Sequence, residues 1–163
     1  MKDQELHQKP NTPNVAEVLA MVLRNVDGTL QPLLLAALER LAAKRYRDWA
    51  SRHPDPAVKD GLLACADREE EIARRVESLE PNARDIQTTL LADNAASLSE
   101  AVRTLFEGRP LEVQFAIQAQ GELAGAAAWR AFAATASAPA VQELLQSCSL
   151  LEEANAAFLQ TLS

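Results

Sequence analysis

The second half of the chain repeats the first half. At an offset of 83 positions, residues 31–80 align without gaps with residues 114–163, and 15 of the 50 aligned positions are identical. Proline, cysteine and glutamate match as well as the abundant alanine, so composition alone does not explain the similarity. In the first half the identical positions are Gln31, Ala36, Glu39, Ala43, Arg47, Ala50, Pro56, Ala57, Val58, Leu62, Cys65, Glu69, Glu70, Ala73 and Leu79. A repeat of this length is typical of one supersecondary unit that is used twice.

Each repeat begins with the signal for a short helix. Asn14-x-x-Glu17 and Ser97-x-x-Glu100 both have the pattern of a helix N-cap that is followed by a glutamate at the third helical position. The short amphipathic helices that these caps predict lie at 15–26 and 98–108.

Two long helices follow in each repeat. They are predicted at 30–52, 57–80, 112–136 and 140–162. Pro56 and Pro139 suit the first turn of the second and fourth, where the missing N–H is harmless. Residues 81–97 are predicted to be a linker. The sequence therefore predicts an all-α fold: a four-helix bundle made from two helical hairpins, with a long crossover between them and two short extra helices.

The predicted bundle forms one domain. At 163 residues the chain is long enough to bury a core. We expect a flexible polar tail at 1–14 and a single helical domain at 15–163, with repeat units at about 15–80 and 98–163.

Charge and cysteine content exclude several classes of function. A net charge of −7 disfavours a nucleic-acid or membrane-surface partner, because those partners require basic surface. No apolar stretch approaches the roughly 20 residues of a membrane helix, and the N-terminus has no signal-peptide core. Two cysteines provide no disulfide framework. We therefore expect a cytoplasmic protein.

One face of the second long helix is apolar at alternating spacings of four and three, except for one glutamate. This stripe is Val58, Leu62, Cys65, Glu69, Ile72, Val76 and Leu79. The fourth long helix repeats it with Val141, Leu145, Cys148, Glu152, Asn155, Leu159 and Leu162. Such stripes face neighbouring helices. Since the first and third long helices carry Glu39 and Glu122 on their own stripes, each long helix is predicted to place one glutamate in the core.

The four glutamates are predicted to lie at one level. Glu39 and Glu69 are each 15 residues from Pro54, and Glu122 and Glu152 are each 15 residues from Ser137. At 1.5 Å per residue, all four lie about 22 Å from the turns. Four buried carboxylates cannot all remain ionised and unpaired. Two divalent ions would neutralise them; protonation, basic side chains or water are the alternatives.

This arrangement resembles the ferritin-like superfamily, in particular its bacterioferritin-like and rubrerythrin-like bundles, over about residues 30–163. In that superfamily the first and third helices each supply a glutamate, often with an aromatic residue seven positions later, as Glu39 with Tyr46 and Glu122 with Trp129. The second and fourth helices each supply Glu-x-x-His, and together they hold two metal ions. The resemblance implies that Glu39, Glu69, Glu122 and Glu152 are metal ligands.

The chain departs from this pattern at both histidines. Ile72 and Asn155 occupy their positions, and His7 and His53 lie in the tail and in a turn. Isoleucine cannot bind a metal, whereas Asn155 could offer a carbonyl oxygen and Tyr46 a hydrogen bond. An all-oxygen site favours hard divalent ions such as manganese, magnesium or calcium, although the family also suggests iron. A standard ferritin-like di-iron oxidase is therefore not expected.

Two functions remain open from the sequence. The first is a ferritin-like protein that binds a divalent metal through the glutamate layer and has oxidoreductase or metal-handling activity. The second is a metal-free bundle that acts as an interaction module or a homodimer. Cys65 and Cys148 are expected to be buried thiols, with a redox pair as the alternative that spacing cannot decide.

Overall fold

The computed structural model describes residues 13–163 and is all-α, as predicted. Its seven helices within this range are α1 (Val15–Arg24), α2 (Gln31–Arg52), α3 (Pro56–Glu77), α4 (Ala83–Asp93), α5 (Ala95–Phe106), α6 (Leu111–Thr135) and α7 (Pro139–Gln160). Apart from its last two residues, the predicted tail at 1–14 lies outside the described residues, as does His7. Within residues 13–163, no helix is both long enough and apolar enough to cross a lipid bilayer.

The ends of the predicted helices follow local chemistry. The Asn14 side chain accepts a hydrogen bond from the Glu17 backbone N–H, which confirms the predicted cap of α1. Asp55 caps α3 through the Ala57 N–H, and Pro56 stands in the first turn of that helix. Gly108, two residues after the end of α5, has a φ of 71°, a conformation that glycine adopts without strain.

The predicted linker at 81–97 is wrong, because most of it is helical. α4 occupies residues 83–93, and α5 begins at Ala95, so Ser97 is not an N-cap and there are three short helices rather than two. α4 buries Ala83, Gln87 and Leu90, which lie on one helical face. The Gln87 side-chain amide donates to the carbonyl oxygen of Leu33, 3.0 Å away, and this bond fastens α4 to α2.

The four long helices pack as two antiparallel pairs. α2 lies against α3, α6 lies against α7, and α3 also contacts α7. One buried apolar cluster combines the N-terminal halves of α2 and α7 with the C-terminal halves of α3 and α6. A second cluster combines the opposite halves of the same helices. The hairpin turns at 53–55 and 136–138 are therefore at opposite ends of the molecule.

The two short helices α1 and α5 cover one side of the long helices. α1 contacts α2, α5 and α6, and α5 contacts α6 as well as α1. Val15, Val22 and Leu23 form the buried face of α1, whereas no residue of α5 is fully buried. α1 is therefore the more firmly packed of the two.

Gly61 allows α3 and α7 to approach each other, and replacing it with alanine is expected to destabilise the protein. A Cβ atom at position 61 would lie 2.1 Å from Cζ of Phe158, so the ring would have to move. We expect Gly61→Ala to lower the free energy of unfolding by about 1–3 kcal/mol in urea denaturation, although alanine favours helices.

A shorter neighbour provides the control for this substitution. In a Phe158→Leu background, Gly61→Ala should cost little, because the ring that blocks the Cβ is gone. Equal costs of Gly61→Ala in the two backgrounds would show that the Phe158 ring is not the obstacle.

Candidate metal centre

The four glutamates lie between the two apolar clusters. On each long helix the cluster residues stand on both sides of the glutamate, as Leu35 and Ala36 before Glu39 and Ala43 and Tyr46 after it do on α2. All four side chains are buried, and the exposed fraction ranges from 0% at Glu69 to 6% at Glu39. The structure thus places the four predicted residues in the interior, at the middle of the molecule.

Three of the four carboxylates converge closely. Glu39, Glu69 and Glu152 each offer one oxygen, and these three oxygens lie within 4.8 Å of one another. They come from three different helices, α2, α3 and α7. Glu122 on α6 is not a member of this group. The sequence predicted that the four carboxyls lie at one level; three of them converge in the structure, and the carboxyl of Glu122 lies in hydrogen-bonding range of Glu69 and Glu152.

Glu122 accepts hydrogen bonds from two side chains, one on α2 and one on α6. The Tyr46 hydroxyl donates to its Oε1 over 2.6 Å, and the Gln118 amide donates to the same atom over 2.8 Å. Arg45 in turn donates to Oε1 of Gln118 over 2.7 Å, which fixes the orientation of that amide. Tyr46 is therefore a hydrogen-bond partner of the fourth glutamate, and burial raises its pKa well above the usual range, so that the phenol stays protonated.

Glu152 is positioned by a tryptophan and a glycine of α6. The Trp129 Nε1–H donates to Oε1 of Glu152 over 2.9 Å. A Cβ atom at Gly125 would lie 2.6 Å from the same oxygen, so any larger residue would push this carboxylate away. The contact explains why a glycine occurs in the middle of α6, where it otherwise weakens the helix.

Asn155 acts on Glu69 as a donor. Its amide nitrogen lies 2.9 Å from Oε1 of Glu69, and its amide oxygen accepts from Arg68 over 3.1 Å. Because a guanidinium group has only donors, the oxygen of Asn155 must face Arg68 and the nitrogen must face the carboxylate. In this arrangement the carbonyl oxygen that could have served as a metal ligand is already engaged.

Several carboxylate oxygens in this layer lack a partner. Among residues 13–163, Oε1 of Glu39, Oε2 of Glu69 and Oε2 of Glu122 are buried and make no hydrogen bond. A buried acceptor without a partner costs free energy, and a charged one costs more. Two of these oxygens, on Glu39 and Glu69, belong to members of the convergent group.

Burial also changes the acidity of the three convergent carboxyls. Loss of hydration raises the pKa of Glu39, and it raises the pKa values of Glu69 and Glu152 well above their usual range. The charges of the neighbouring glutamates add to the effect at Glu69 and Glu152. Without a cation, these groups therefore hold protons more tightly than they would in water.

The donor set contains only oxygen. Ile72 is fully buried at one of the two positions where the resemblance would place a histidine. His53 follows the C-terminal end of α2, with its ring centroid 6.4 Å from that of Phe115. His53 therefore lies outside the glutamate layer, and the Ile72 side chain has no nitrogen with which to bind a metal.

The two cysteines lie on opposite sides of the glutamate layer. Both are free and buried; Cys148 belongs to the first apolar cluster and Cys65 to the second. Burial raises the pKa of Cys65 to about 12 and that of Cys148 to about 11. These positions give no support to the alternative of a redox pair.

Sequence reasoning assigned no role to several residues that surround the layer. Gln118, Arg45, Arg68 and Gly125 all orient a glutamate or one of its partners. Gln118 carried a signal, because it stands four residues before Glu122 on the same stripe. Arg68 precedes Glu69 directly and gave no pattern that separates it from a surface residue.

The comparisons with known proteins identify no relative. No protein-family model matches the chain, and neither a curated protein nor a solved structure matches it.

Proposed function

We propose that this protein is a ferritin-like four-helix bundle that binds one divalent cation through Glu39, Glu69 and Glu152. The observation that carries the proposal is the convergence of three buried carboxylate oxygens, from three helices, within 4.8 Å of one another. Two of these residues also have an oxygen without a hydrogen-bond partner in the described chain. Cation binding would replace the hydration that burial removes from these groups.

Two ion pairs support an origin of the bundle by duplication of a helical hairpin. Arg47 on α2 pairs with Glu70 on α3, with a distance of 3.0 Å between Nη1 and Oε1. Arg130 on α6 pairs with Glu153 on α7. Arg130 and Glu153 stand 83 residues after Arg47 and Glu70, so the two hairpins use the same contact between their helices.

The chemistry of the ligands favours a hard ion. Carboxylate oxygens are the ligands that manganese, magnesium and calcium prefer. The residues do not fit the family's two-metal centre with histidine, since Ile72 is apolar and Asn155 turns its nitrogen towards Glu69. We therefore propose metal binding or metal handling and derive no redox step.

A second candidate is a metal-free bundle that acts as an interaction or homodimeric module. It is favoured by the donors that are already in place, since Trp129, Asn155 and Tyr46 each donate to one of the glutamates. Protonated carboxyls, with their raised pKa values, would then complete the network. In this case the layer is structural, and function lies on the surface.

Metal content decides between the two candidates. The protein is loaded in turn with Mn(II), Fe(II), Ca(II) and Mg(II), desalted and submitted to elemental analysis. We expect about one ion per chain and, at about 100 times Kd, a stabilisation of about 2.7 kcal/mol. The double variant Glu69→Gln with Glu152→Gln should lose both effects, because amides do not supply the negative charge.

The neighbouring surface glutamates provide a matched control. Glu70→Gln with Glu153→Gln makes the same two substitutions one residue further along the same helices, where the side chains pair with Arg47 and Arg130. This control should retain the metal. If none of the four ions is retained and none raises Tm, the metal-free candidate replaces the proposal.

A further inference from the structure

An arginine reaches the glutamate layer through an amide side chain. Arg45 on α2 donates from Nη1 to Oε1 of Gln118 over 2.7 Å, and Nε2 of Gln118 donates to Oε1 of Glu122 over 2.8 Å. The guanidinium group also lies over the ring of Phe106, 4.4 Å from the ring centroid. Burial lowers the pKa of Arg45, but the usual pKa of a guanidinium group is so high that the group stays protonated near neutral pH.

A second arginine reaches the layer in the same way. Arg68 on α3 donates from Nη1 to Oδ1 of Asn155 over 3.1 Å, and Nδ2 of Asn155 donates to Oε1 of Glu69 over 2.9 Å. Hydrogen bonds in a chain polarise and strengthen one another, so an amide that accepts from an arginine is a better donor. Both arginines therefore stabilise negative charge on a carboxylate from which one amide group separates them.

Neither arginine has a closer carboxylate partner in the described part of the chain. The ion pairs between residues 13–163 engage seven other arginines: Arg40, Arg47, Arg52, Arg74, Arg75, Arg103 and Arg130. The hydrogen bonds of Arg45 and Arg68 lead instead to the glutamate layer, which is the negative charge that these two cations balance.

The packing of a helical hairpin does not require either arginine. The residues 83 positions after Arg45 and Arg68 are Ala128 and Leu151, which have neither a charge nor a side-chain hydrogen bond. The second hairpin, α6 with α7, packs as closely as the first one without a cation at either position. The two arginines therefore serve the shared glutamate layer and not the hairpin itself.

Charge balance gives these arginines a role at the proposed metal site. The layer contains four buried carboxylates, and two guanidinium groups offset two of their four negative charges, which leaves the charge of one divalent ion. We propose that Arg45 and Arg68 take the electrostatic place of a second divalent ion, so that the layer selects one divalent cation over two such ions or a trivalent ion. They are positioning residues, because they act through Gln118 and Asn155. The inference rests on the proposed function, since it concerns the same site.

A comparison of a divalent with a trivalent ion tests the inference. The dissociation constants of Mn(II) and Tb(III) are measured by calorimetric titration of the full-length protein after EDTA has removed any bound metal. Arg45→Met removes the charge and keeps a long side chain. We expect it to increase the preference for Tb(III) over Mn(II) at least about tenfold, because a unit charge about 10 Å away in a protein interior repels the ion of higher charge more strongly. Arg68→Met should have the same effect.

A neighbouring surface arginine provides the matched control. Arg47 stands two residues after Arg45 on α2, pairs with Glu70 and has a side chain that is 44% exposed. Arg47→Met removes the same charge from the same helix, but solvent screens this position. Its preference between the two ions should equal that of the unsubstituted protein.

Either of two results would overturn the inference. The first is retention of about two Mn(II) ions per chain by the unsubstituted protein, because no charge would then be left for the arginines to balance. The second is an unchanged ion preference in both methionine variants, since a loss of amide orientation alone weakens the binding of both ions alike. If circular dichroism shows that one of these variants does not fold, the other variant decides.

The outcome is separable from that of the proposed function. One Mn(II) ion per chain, together with an unchanged ion preference in Arg45→Met and Arg68→Met, overturns this inference alone. If the unsubstituted protein retains neither Mn(II) nor Tb(III) nor any other ion of the loading series, the proposed function fails and this inference fails with it.

Discussion

Replacing Trp129 with alanine is expected to lower the free energy of unfolding by about 3–5 kcal/mol. The indole is fully buried in the first apolar cluster and packs edge-on against Phe132, with ring centroids 5.7 Å apart. Its N–H also donates to Glu152 over 2.9 Å. Alanine would leave a cavity next to the glutamate layer and remove a donor from a buried carboxyl. Urea denaturation monitored by circular dichroism measures the change.

Trp129→Phe separates packing from hydrogen bonding. Phenylalanine keeps most of the ring but cannot donate to Glu152, so its cost should be about 1–3 kcal/mol, the usual penalty for an unsatisfied buried group. If Trp129→Ala costs less than 1 kcal/mol, or if the two variants cost the same, our account of Trp129 is contradicted.

The long helices were predictable because the two aligned halves of the sequence show the same helical pattern of apolar residues. The apolar stripes of the second and fourth long helices run for more than five turns, and the predicted ends of all four helices lie within three residues of the observed ones. A prolonged periodic pattern of this kind overrides local ambiguity. Pro56 and Pro139 fixed the starts of α3 and α7, because proline is compatible with a first helical turn.

The helix α4 was missed for a physical reason. Pro81-Asn82 indicated a loop. The buried face of α4 consists of Ala83, Gln87 and Leu90, and a glutamine at such a position is normally expected at the surface. Gln87 is buried because the Leu33 carbonyl accepts its amide proton. A tertiary hydrogen bond of this kind joins residues far apart in the chain, so no local pattern reveals it.

The sequence predicted which glutamates are buried in the core, but not how their carboxyls are arranged. Spacing placed the four glutamates in the core, and each is buried. Spacing could not show which side chains donate to Glu122, or that one oxygen from each of the other three glutamates converges, because these contacts depend on the side-chain rotamers of several helices. The repeat suggests that the glutamates of the two halves have equivalent surroundings, but the side chains that contact them differ between the halves.

The two halves of the sequence differ at the positions whose side chains form or support hydrogen bonds to the glutamates. Gln118, Arg68 and Asn155 form or support hydrogen bonds to Glu122 and Glu69. The positions related to them by the 83-residue offset are Leu35, Leu151 and Ile72, which are all apolar. The counterparts of these three residues in the other half of the chain are therefore unable to donate, and Glu152 accepts its hydrogen bond from Trp129 instead.

The metal-free protein is expected to lose stability as the pH rises from about 5 to 8. Burial raises the pKa values of Glu39, Glu69 and Glu152 above the ordinary 4.5 of the unfolded chain. Above pH 4.5 the unfolded chain releases these protons first, so the folded state binds more protons and stability falls with pH until the folded pKa values are passed. Each pKa unit corresponds to about 1.4 kcal/mol, and each kcal/mol shifts Tm by about 2–4 °C at this chain length.

Saturating Mn(II) should reverse this dependence, because the ion binds only the deprotonated carboxylates and so competes with protons. From pH 5 to 8, Tm measured by calorimetry should fall in EDTA. The difference in Tm between the samples with Mn(II) and with EDTA should increase over the same range. The triple variant Glu39→Gln, Glu69→Gln and Glu152→Gln has no proton to release in this group, so its profile should be flatter and insensitive to the metal. A fall in Tm with pH that persists unchanged in the triple variant would assign the pH dependence to other groups and remove the three carboxyls as its source.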